Sequence, residues 1–324
     1  MYSTISVVIP SNHNPVDLLN VVKAICLQTT APSEIIIVNS YPEAEECSME
    51  VVEICAKSRI RLIYAHRESA LPGHARNIGL GLSNAELVAF IDVQTIPHPN
   101  WLEVSLSLIE ADQVMGVWGS THFCAETSFE RLVRDSFFGA LPRKTLPGSI
   151  FKRTAFNITG LLIDWVRAGE DTEWILRLEM LRLQTALPSM ALIDYVGLTG
   201  QSLKSLIKKW YRNYYASRDL PHFSPQKLFI WIVIYPLLVL IAFNWNYLIA
   251  DWRIDSPFYI GHITKMATFL PISAYVLARG VIIPIQRGVD IFNVLPFRFI
   301  AIVAVCLLGD SLKALVFTLH KSKN

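Results

Sequence analysis

Four short apolar runs punctuate the first third of the chain: "ISVVIP" (5–10), "EIIIVNS" (34–40), "RLIYAH" (61–66) and "LVAFID" (87–92). Each is rich in β-branched residues and unbroken. A strand with one wet face alternates polar and apolar residues, so these runs are expected to be covered on both faces. Between them, 15–28, 43–58 and 72–85 carry apolar residues at helical spacing. The first of these begins "NPVDLL", with Asn14 as N-cap and Pro15 at the first helical position. Strand, helix, strand repeated through short loops implies a parallel α/β sheet with helices on both faces. Ligands in such sheets bind beyond the carboxyl ends of the strands. Ser11 and Asn12, Asn39 and Ser40, His66 and Arg67, and Asp92 to Gln94 stand there. Neither a GxGxxG stretch nor a Walker A motif occurs, so a dinucleotide fold and a P-loop NTPase have no direct support.

The remainder of the 324 residues is different in kind. Hydrophobic residues make up 52% of the chain, and the excess is concentrated after Leu228. "LFIWIVIYPLLVLIAFNWNYLIA" (228–250) carries no charge over 23 residues, enough for a helix to cross a hydrocarbon core of roughly 30 Å. Pro236 is tolerable there because neighbouring helices satisfy the freed carbonyl. Two further apolar segments contain charges. In 258–285 Lys265 and Arg279 are placed to snorkel, and in 297–319 Asp310 and Lys313, three apart on a helix face, are expected to neutralise each other. Two or three spans follow.

Ahead of them, "QSLKSLIKKWYRNYYA" (201–216) sets Leu203, Leu206, Ile207, Trp210 and Tyr214 on one stripe, with Lys204, Lys208, Lys209 and Arg212 off it. That is a basic amphipathic helix suited to a membrane surface. Trp231, Trp245 and Trp252 suit interface anchors. The expected organisation is an α/β domain over 1–200, an interfacial helix and linker over 201–227, and a membrane domain over 228–324. The net charge of +2 is uninformative about partners, and no nucleic acid is expected. Five cysteines without a CxxC pair argue against a disulfide framework or a zinc site and fit a reducing compartment. "MYSTISVVIP" runs straight into a strand, so no signal peptide is read and the N-terminal part is expected on the cytoplasmic side.

Three stretches in order, "SVVIPSNHNPVDLLNVVKAICLQTTAPSEIIIVNS", "GHARNIGLGLSNAELVAFIDVQTIPHPNWLE" and "GEDTEWILRL", resemble family 2 glycosyltransferases of the GT-A fold over about residues 1–215. The resemblance makes 1–200 the catalytic domain and implies a Rossmann-like α/β domain with a mostly parallel central sheet, here followed by C-terminal transmembrane helices. It also implies inverting, hexosyltransferase-type transfer from a nucleotide sugar to an acceptor hydroxyl or phosphate. A membrane anchor points to a lipid or lipid-linked saccharide acceptor, as in cell-envelope polysaccharide or glycolipid synthesis. The alternatives are a polyprenyl-phosphate sugar synthase and a non-catalytic sugar-nucleotide-binding membrane protein.

The same resemblance assigns residues. Pro10, Ser11, Asn12 and Asn39 fall in the donor half, Asn39 where the family commonly has a base-reading Asp. Arg76 and Asn77 match the family's Ala-Arg-Asn stretch beside the nucleotide sugar, where a guanidinium fork suits phosphate oxygens. Asp92 matches the first acid of the Asp-x-Asp motif, which contacts ribose and a divalent metal; read without the family, it is a turn-forming Asp. Gln94 replaces the second acid. Mg²⁺ and Mn²⁺ prefer anionic oxygen, so either a cation is held by Asp92, the diphosphate and His98 or water, or lysines and arginines neutralise the diphosphate without one. Asp171 is the expected general base with Glu170 in support, and Asp164 is a weaker candidate; otherwise these acids simply favour a helix start. Lys208, Lys209 and Trp210 loosely echo a family stretch that meets diphosphate and acceptor.

Overall fold

The computed structural model describes residues 4–43, 46–110, 114–218, 220 and 235–318. They divide into two compact units: Met1–Arg134 with Ala140–Leu203, and Asp135–Gly139 with Lys204–Asn324. The basic helix and a five-residue piece of the N-terminal half thus belong with the C-terminal unit.

In the first unit the expected alternation appears as β1 (Ile5–Ser11), α1 (Pro15–Cys26), β2 (Glu34–Asn39), α2 (Met49–Lys57), β3 (Arg61–His66), α3 (Pro72–Leu82) and β4 (Leu87–Phe90). Then come β5 (Thr95–Pro97), α4 (Trp101–Ile109), β6 (Gly116–Phe123), α5 (Ser128–Phe137), β7 (Arg143–Lys152), α6 (Arg153–Thr159), α7 (Glu170–Met180), β8 (Thr185–Ala186) and β9 (Ile193–Tyr195). Asn14 caps α1 by accepting from the Asp17 amide, with Pro15 behind it. The second helix starts later than its apolar spacing implies, at Met49, because Ser48 supplies the capping oxygen. Thr127 and Glu130 form a reciprocal capping box at the start of α5.

The sheet order is β3-β2-β1-β4-β7-β6-β9-β5, with β8 on β6. Strands β3, β2, β1 and β4 pair in parallel; β7 then runs antiparallel to both β4 and β6. The unbroken runs now have a cause. Val7, Ile9, Ile35, Ile37, Ala89 and Ile91 pack on one side with Val21, Ile25, Val51, Trp101 and Leu102 from α1, α2 and α4. Val8, Ile36, Val38, Val88 and Phe90 pack on the other with Ala75, Leu80, Phe156 and Trp174 from α3, α6 and α7. Each buried Val or Ile contributes about 1.5–3 kcal/mol, so neither face tolerates a polar residue. The Trp174 ring stacks on Phe156 at 5.1 Å, and its Nε1 donates to Thr159.

After Asp135–Gly139, the second unit continues with Lys204 and the rest of α8 (Leu203–Ser217). Trp210 on this helix packs against Phe137 at 4.9 Å. Residues 228–234 of the first expected span lie outside the described residues; of the rest, Tyr235–Leu248 is helical and Ile249 and Ala250 form a turn. Among the described residues, two helices are long and apolar enough to cross a membrane, Lys265–Gln286 and Arg298–Phe317. The expected Asp310–Lys313 neutralisation is not what forms. Asp310 instead accepts from Arg279 Nε and Nη2 at 3.0 and 2.8 Å and from the Tyr275 hydroxyl at 3.0 Å. A planar fork matches both carboxylate oxygens, which a lysine one turn away cannot do; Lys313 lies over the Phe317 ring instead. In this unit Arg298 pairs with the buried Asp135 at 2.8 Å, and Arg287 donates to the Phe137 carbonyl.

Candidate active site

The chain runs outward from β1 to β2 to β3 and then returns to the other side of β1 as β4. That reversal puts a crevice beyond the carboxyl ends of β1 and β4, where α/β sheets bind ligands. Ser11 ends β1 beside Asn39, and the Ser40 amide and hydroxyl both donate to the Ser11 carbonyl. Pro10 pairs within the sheet with Val38, and Asn12 is exposed. The Asn39 amide donates to the Tyr64 hydroxyl at 2.8 Å and accepts from the Tyr41 amide. Tyr41 in turn stacks on His13, centroids 4.2 Å apart and planes 22° apart, forming a flat aromatic surface at the strand ends. Sequence reasoning passed over His13, Tyr41 and Tyr64; aromatic rings at or just past strand ends were the available signal.

On the far side of β1, Asp92 follows β4 in a tight turn closed by Thr95, whose Oγ1 accepts from the Asp92 amide and donates to its carbonyl. The turn reading of Asp92 is therefore correct for its backbone. Its side chain does something else. Arg76, on α3 and 4% exposed, donates through Nη2 to Asp92 Oδ1 at 2.8 Å and through Nη1 to Glu170 Oε1 at 2.7 Å. One guanidinium thus joins the turn after β4 to α7. Its fork is occupied by carboxylates inside the unit, whereas the resemblance placed it on donor phosphates.

The segment leading to Glu170 is fastened to the helices beside it. Both ends of the Asn77 amide bond the Leu162 backbone, at 2.8 and 3.1 Å, so Asn77 holds chain where a donor contact was expected. Arg177 donates to the carbonyls of Thr159 and Leu161 and pairs with Glu173. At Gly73 an added Cβ would fall 2.0 Å from the Ile163 carbonyl oxygen, so only glycine lets α3 approach this closely. Gly169, at φ +94°, then turns the chain into α7. Glu170 is buried. Asp171 is half-buried, with Oδ1 accepting from the Thr172 amide at 2.7 Å. Asp164 is exposed, as are Leu161 and Trp165 on the same segment.

The electrostatics follow from burial. Desolvation pushes the Glu170 carboxyl up, Asp171 adds to the rise, and Arg76 opposes it. Burial alone would weaken the charge on Arg76, but Asp92, Glu170 and Asp171 more than offset this and hold the guanidinium firmly protonated. Arg76 Nε and Glu170 Oε2 are buried without hydrogen-bond partners. Three acids against one arginine leave the cluster net negative.

Gln94 accepts the Val196 amide on its backbone carbonyl, and its side-chain oxygen lies over Gly197, where a Cβ would come within 2.5 Å. His98, a candidate partner for a cation at Asp92, is engaged instead with Asp194 at 3.1 Å. Lys208, Lys209 and Trp210 belong to the second unit.

Several known proteins are similar to this chain. Among solved structures, S. aureus TarS 1–349 in complex with UDP-GlcNAc aligns over 97% of this chain and 89% of its own, at 14% identity and a TM-score of 0.47. Glucosyl-3-phosphoglycerate synthase from Mycobacterium tuberculosis, in complex with phosphoglyceric acid, aligns over 63% of this chain and 75% of its own, at 17% identity and a TM-score of 0.43. An uncharacterized glycosyltransferase of Rickettsia bellii is 24% identical over 150 residues, 46% of this chain. One from Rickettsia conorii is 27% identical over 118 residues, 36% of this chain. The chain spans about a fifth of the length of these curated relatives, 20% and 19%. Residues 6–163, just under half of the chain, match the family described as Glycosyl transferase family 2.

Proposed function

We propose that this chain is an inverting glycosyltransferase that moves a sugar from a nucleotide-sugar donor to a lipid or lipid-linked saccharide at the cytoplasmic face of a membrane. The observation that carries the reading is the single buried guanidinium of Arg76, bonded to Asp92 at the end of β4 and to Glu170 at the start of α7. It ties a donor-side acid to the Glu170–Asp171 pair.

In this reading the donor occupies the crevice beyond β1 and β4. The His13–Tyr41 pair gives its base a stacking surface, Asn39 lies at the base, and Ser11 and Asn12 border the ribose. Asp171 is the group with access to an acceptor. It takes the acceptor hydroxyl proton as the oxygen bonds the anomeric carbon and the bond from that carbon to the donor phosphate breaks, leaving a nucleoside diphosphate. Glu170 and Arg76 position Asp171, and exposed Leu161 and Trp165 offer the acceptor an apolar surface. Where the nucleophile is a lipid phosphate, already ionised, Asp171 orients it.

The residues fit a divalent cation, Mg²⁺ or Mn²⁺, in a limited way. Asp92 Oδ1 faces Arg76, which leaves Oδ2 and the neutral oxygen of Gln94, so the donor's own diphosphate would supply most ligands. The net negative cluster is a physical reason to need one beside an anionic donor. When bound, it would neutralise charge on the departing diphosphate.

The lipid acceptor is inferred from the two long apolar helices, which would hold the site at a bilayer and raise the effective acceptor concentration. Purified full chain in lipid nanodiscs, screened with a panel of nucleotide sugars and lipid acceptors with and without Mn²⁺ or Mg²⁺, tests the reading. A glycosylated lipid is expected. Donor hydrolysis without transfer, or no turnover of any donor, would overturn it. Product analysis separates a glycosylated hydroxyl from a sugar phosphate on polyprenol.

A further inference from the structure

The edge of the sheet remote from β3 gathers a second set of polar side chains that the transferase reading does not use. Strand β6 pairs with β9 in parallel, with His122 opposite Asp194, and Cys124 follows β6 directly. On the other side β9 pairs antiparallel with β5, with Ile96 opposite Asp194, which brings His98 to the same carboxylate. His122 Nδ1 lies 3.3 Å from Asp194 Oδ1, and Cys124 Sγ lies 3.8 Å from His122 Nδ1. The ligand atoms of His122, Cys124 and Asp194 all fall within 4.8 Å of one another. His98 Nε2 is 3.1 Å from the other oxygen of Asp194.

The His122 ring and the Cys124 thiol both reach the Asp194 carboxylate, so three groups with the chemistry of metal ligands converge on one point. A neutral imidazole nitrogen offers either one proton or one lone pair. Donating from Nδ1 to Asp194 leaves it nothing with which to accept from the Cys124 thiol, which turns to Asp194 as well. A cation between them turns all three lone pairs to one use. Tetrahedral zinc, with bonds of about 2.3 Å to sulfur and about 2.0–2.2 Å to nitrogen and oxygen, holds its ligand atoms roughly 3.3–3.6 Å apart. The 3.3 and 3.8 Å separations are close to that spacing.

We propose that His122, Cys124 and Asp194 form a zinc site, with His98 fixing the outer oxygen of Asp194 and solvent in the fourth position. Thiolate, imidazole and a single carboxylate select zinc over Mg²⁺ or Mn²⁺, and the half-exposed setting leaves room for a water. A histidine bonded to the far oxygen of a ligating carboxylate is an orienting contact common around metal sites. The cysteine spacing argued against zinc because the ligands come from different strands, one residue type at a time. The ion would clamp the three-residue β9 to β6. Val196 and Gly197, which follow β9, support Gln94, so the clamp would also steady the turn after Asp92.

The test uses untagged full chain in detergent, stripped with chelator and dialysed against Zn²⁺ or Co²⁺ alone. One zinc per chain is expected, and cobalt should give a thiolate charge-transfer band in the near ultraviolet. Cys124→Ser should remove that band, and His122→Ala or Asp194→Asn should weaken zinc binding by more than tenfold. His98→Ala should weaken it about 10–100-fold while keeping the band. Asp92→Asn should leave all of this unchanged, which separates the site from a donor-bound cation. The wild-type cobalt spectrum stands whether or not the variants fold. No retained zinc, cobalt bound without a thiolate band, or zinc content unchanged in folded Cys124→Ser and His122→Ala would overturn the proposal.

Discussion

Arg76→Met removes one side chain from beneath the site and leaves two acids facing where it was. Glu170 is the costly one. Its carboxylate is 6% exposed and bonded to Arg76 at 2.7 Å, and stripping the partner from a buried ion pair typically costs about 3–5 kcal/mol. Asp92, 35% exposed, keeps water, so its pairing is discounted to about 0–1 kcal/mol. The methionine recovers the packing of the arginine stem but none of the charge. For a unit of this size each kcal/mol moves the melting temperature by about 2–4 °C, so a loss on the order of 10 °C is expected at neutral pH. Tryptophan fluorescence and near-ultraviolet circular dichroism of full chain in detergent report it, since Trp174 is buried in the same core.

The loss carries a pH signature. Burial and Asp171 already raise Glu170 and Arg76 opposes them, so without Arg76 the carboxyl rises further. A raised carboxyl contributes stability that is full below its ordinary value, about 4.3, and is lost as pH climbs through the folded value. The deficit of Arg76→Met should therefore grow from acid toward neutral pH, and adding Glu170→Gln should recover most of it. A variant melting within about 2 °C of wild type at neutral pH, or a double variant in which the two losses simply add, would refute the reasoning.

Glu130 accepts the backbone amides of Glu126, Thr127 and Gly200 at 2.8, 3.1 and 3.0 Å, which hold its carboxyl below the ordinary value. Glu130→Gln should lower the melting temperature at neutral pH, and the difference should vanish as pH falls through the depressed value; an equal difference at acid pH would contradict this. Gly73→Ala sets a methyl against the Ile163 carbonyl oxygen. It should cost about 1–3 kcal/mol and raise amide exchange in residues 160–169, which mass spectrometry would detect.

The central strands were legible because both of their faces are buried: Val7 and Val8 point to opposite cores, and each must be apolar. The first helix was legible because Asn14 and Pro15 act locally. The short strands β8 and β9 carry two or three residues each, too few for periodicity to register. The candidate site was legible only in part. Asp92, Glu170 and Arg76 could each be singled out, but the bond between Arg76 and Glu170 spans 94 residues of chain, and no local pattern announces it. Asn77 shows the opposite limit. Its position follows the family's stretch, yet its amide is taken by the Leu162 backbone. Asp310 repeats the lesson, since its partner lies 31 residues earlier on another helix and displaces the neighbour three residues away.

The central claim is that Asp171 takes the acceptor's proton, and the most direct measurement is transfer by Asp171→Asn with whichever donor and lipid acceptor the wild-type screen identifies. Asparagine keeps the shape and the oxygen facing Thr172 but cannot act as a base. Turnover should fall by about 10²–10⁴-fold, with donor affinity little changed and the melting temperature near wild type. Wild-type turnover by a folded, donor-binding Asp171→Asn would contradict the account.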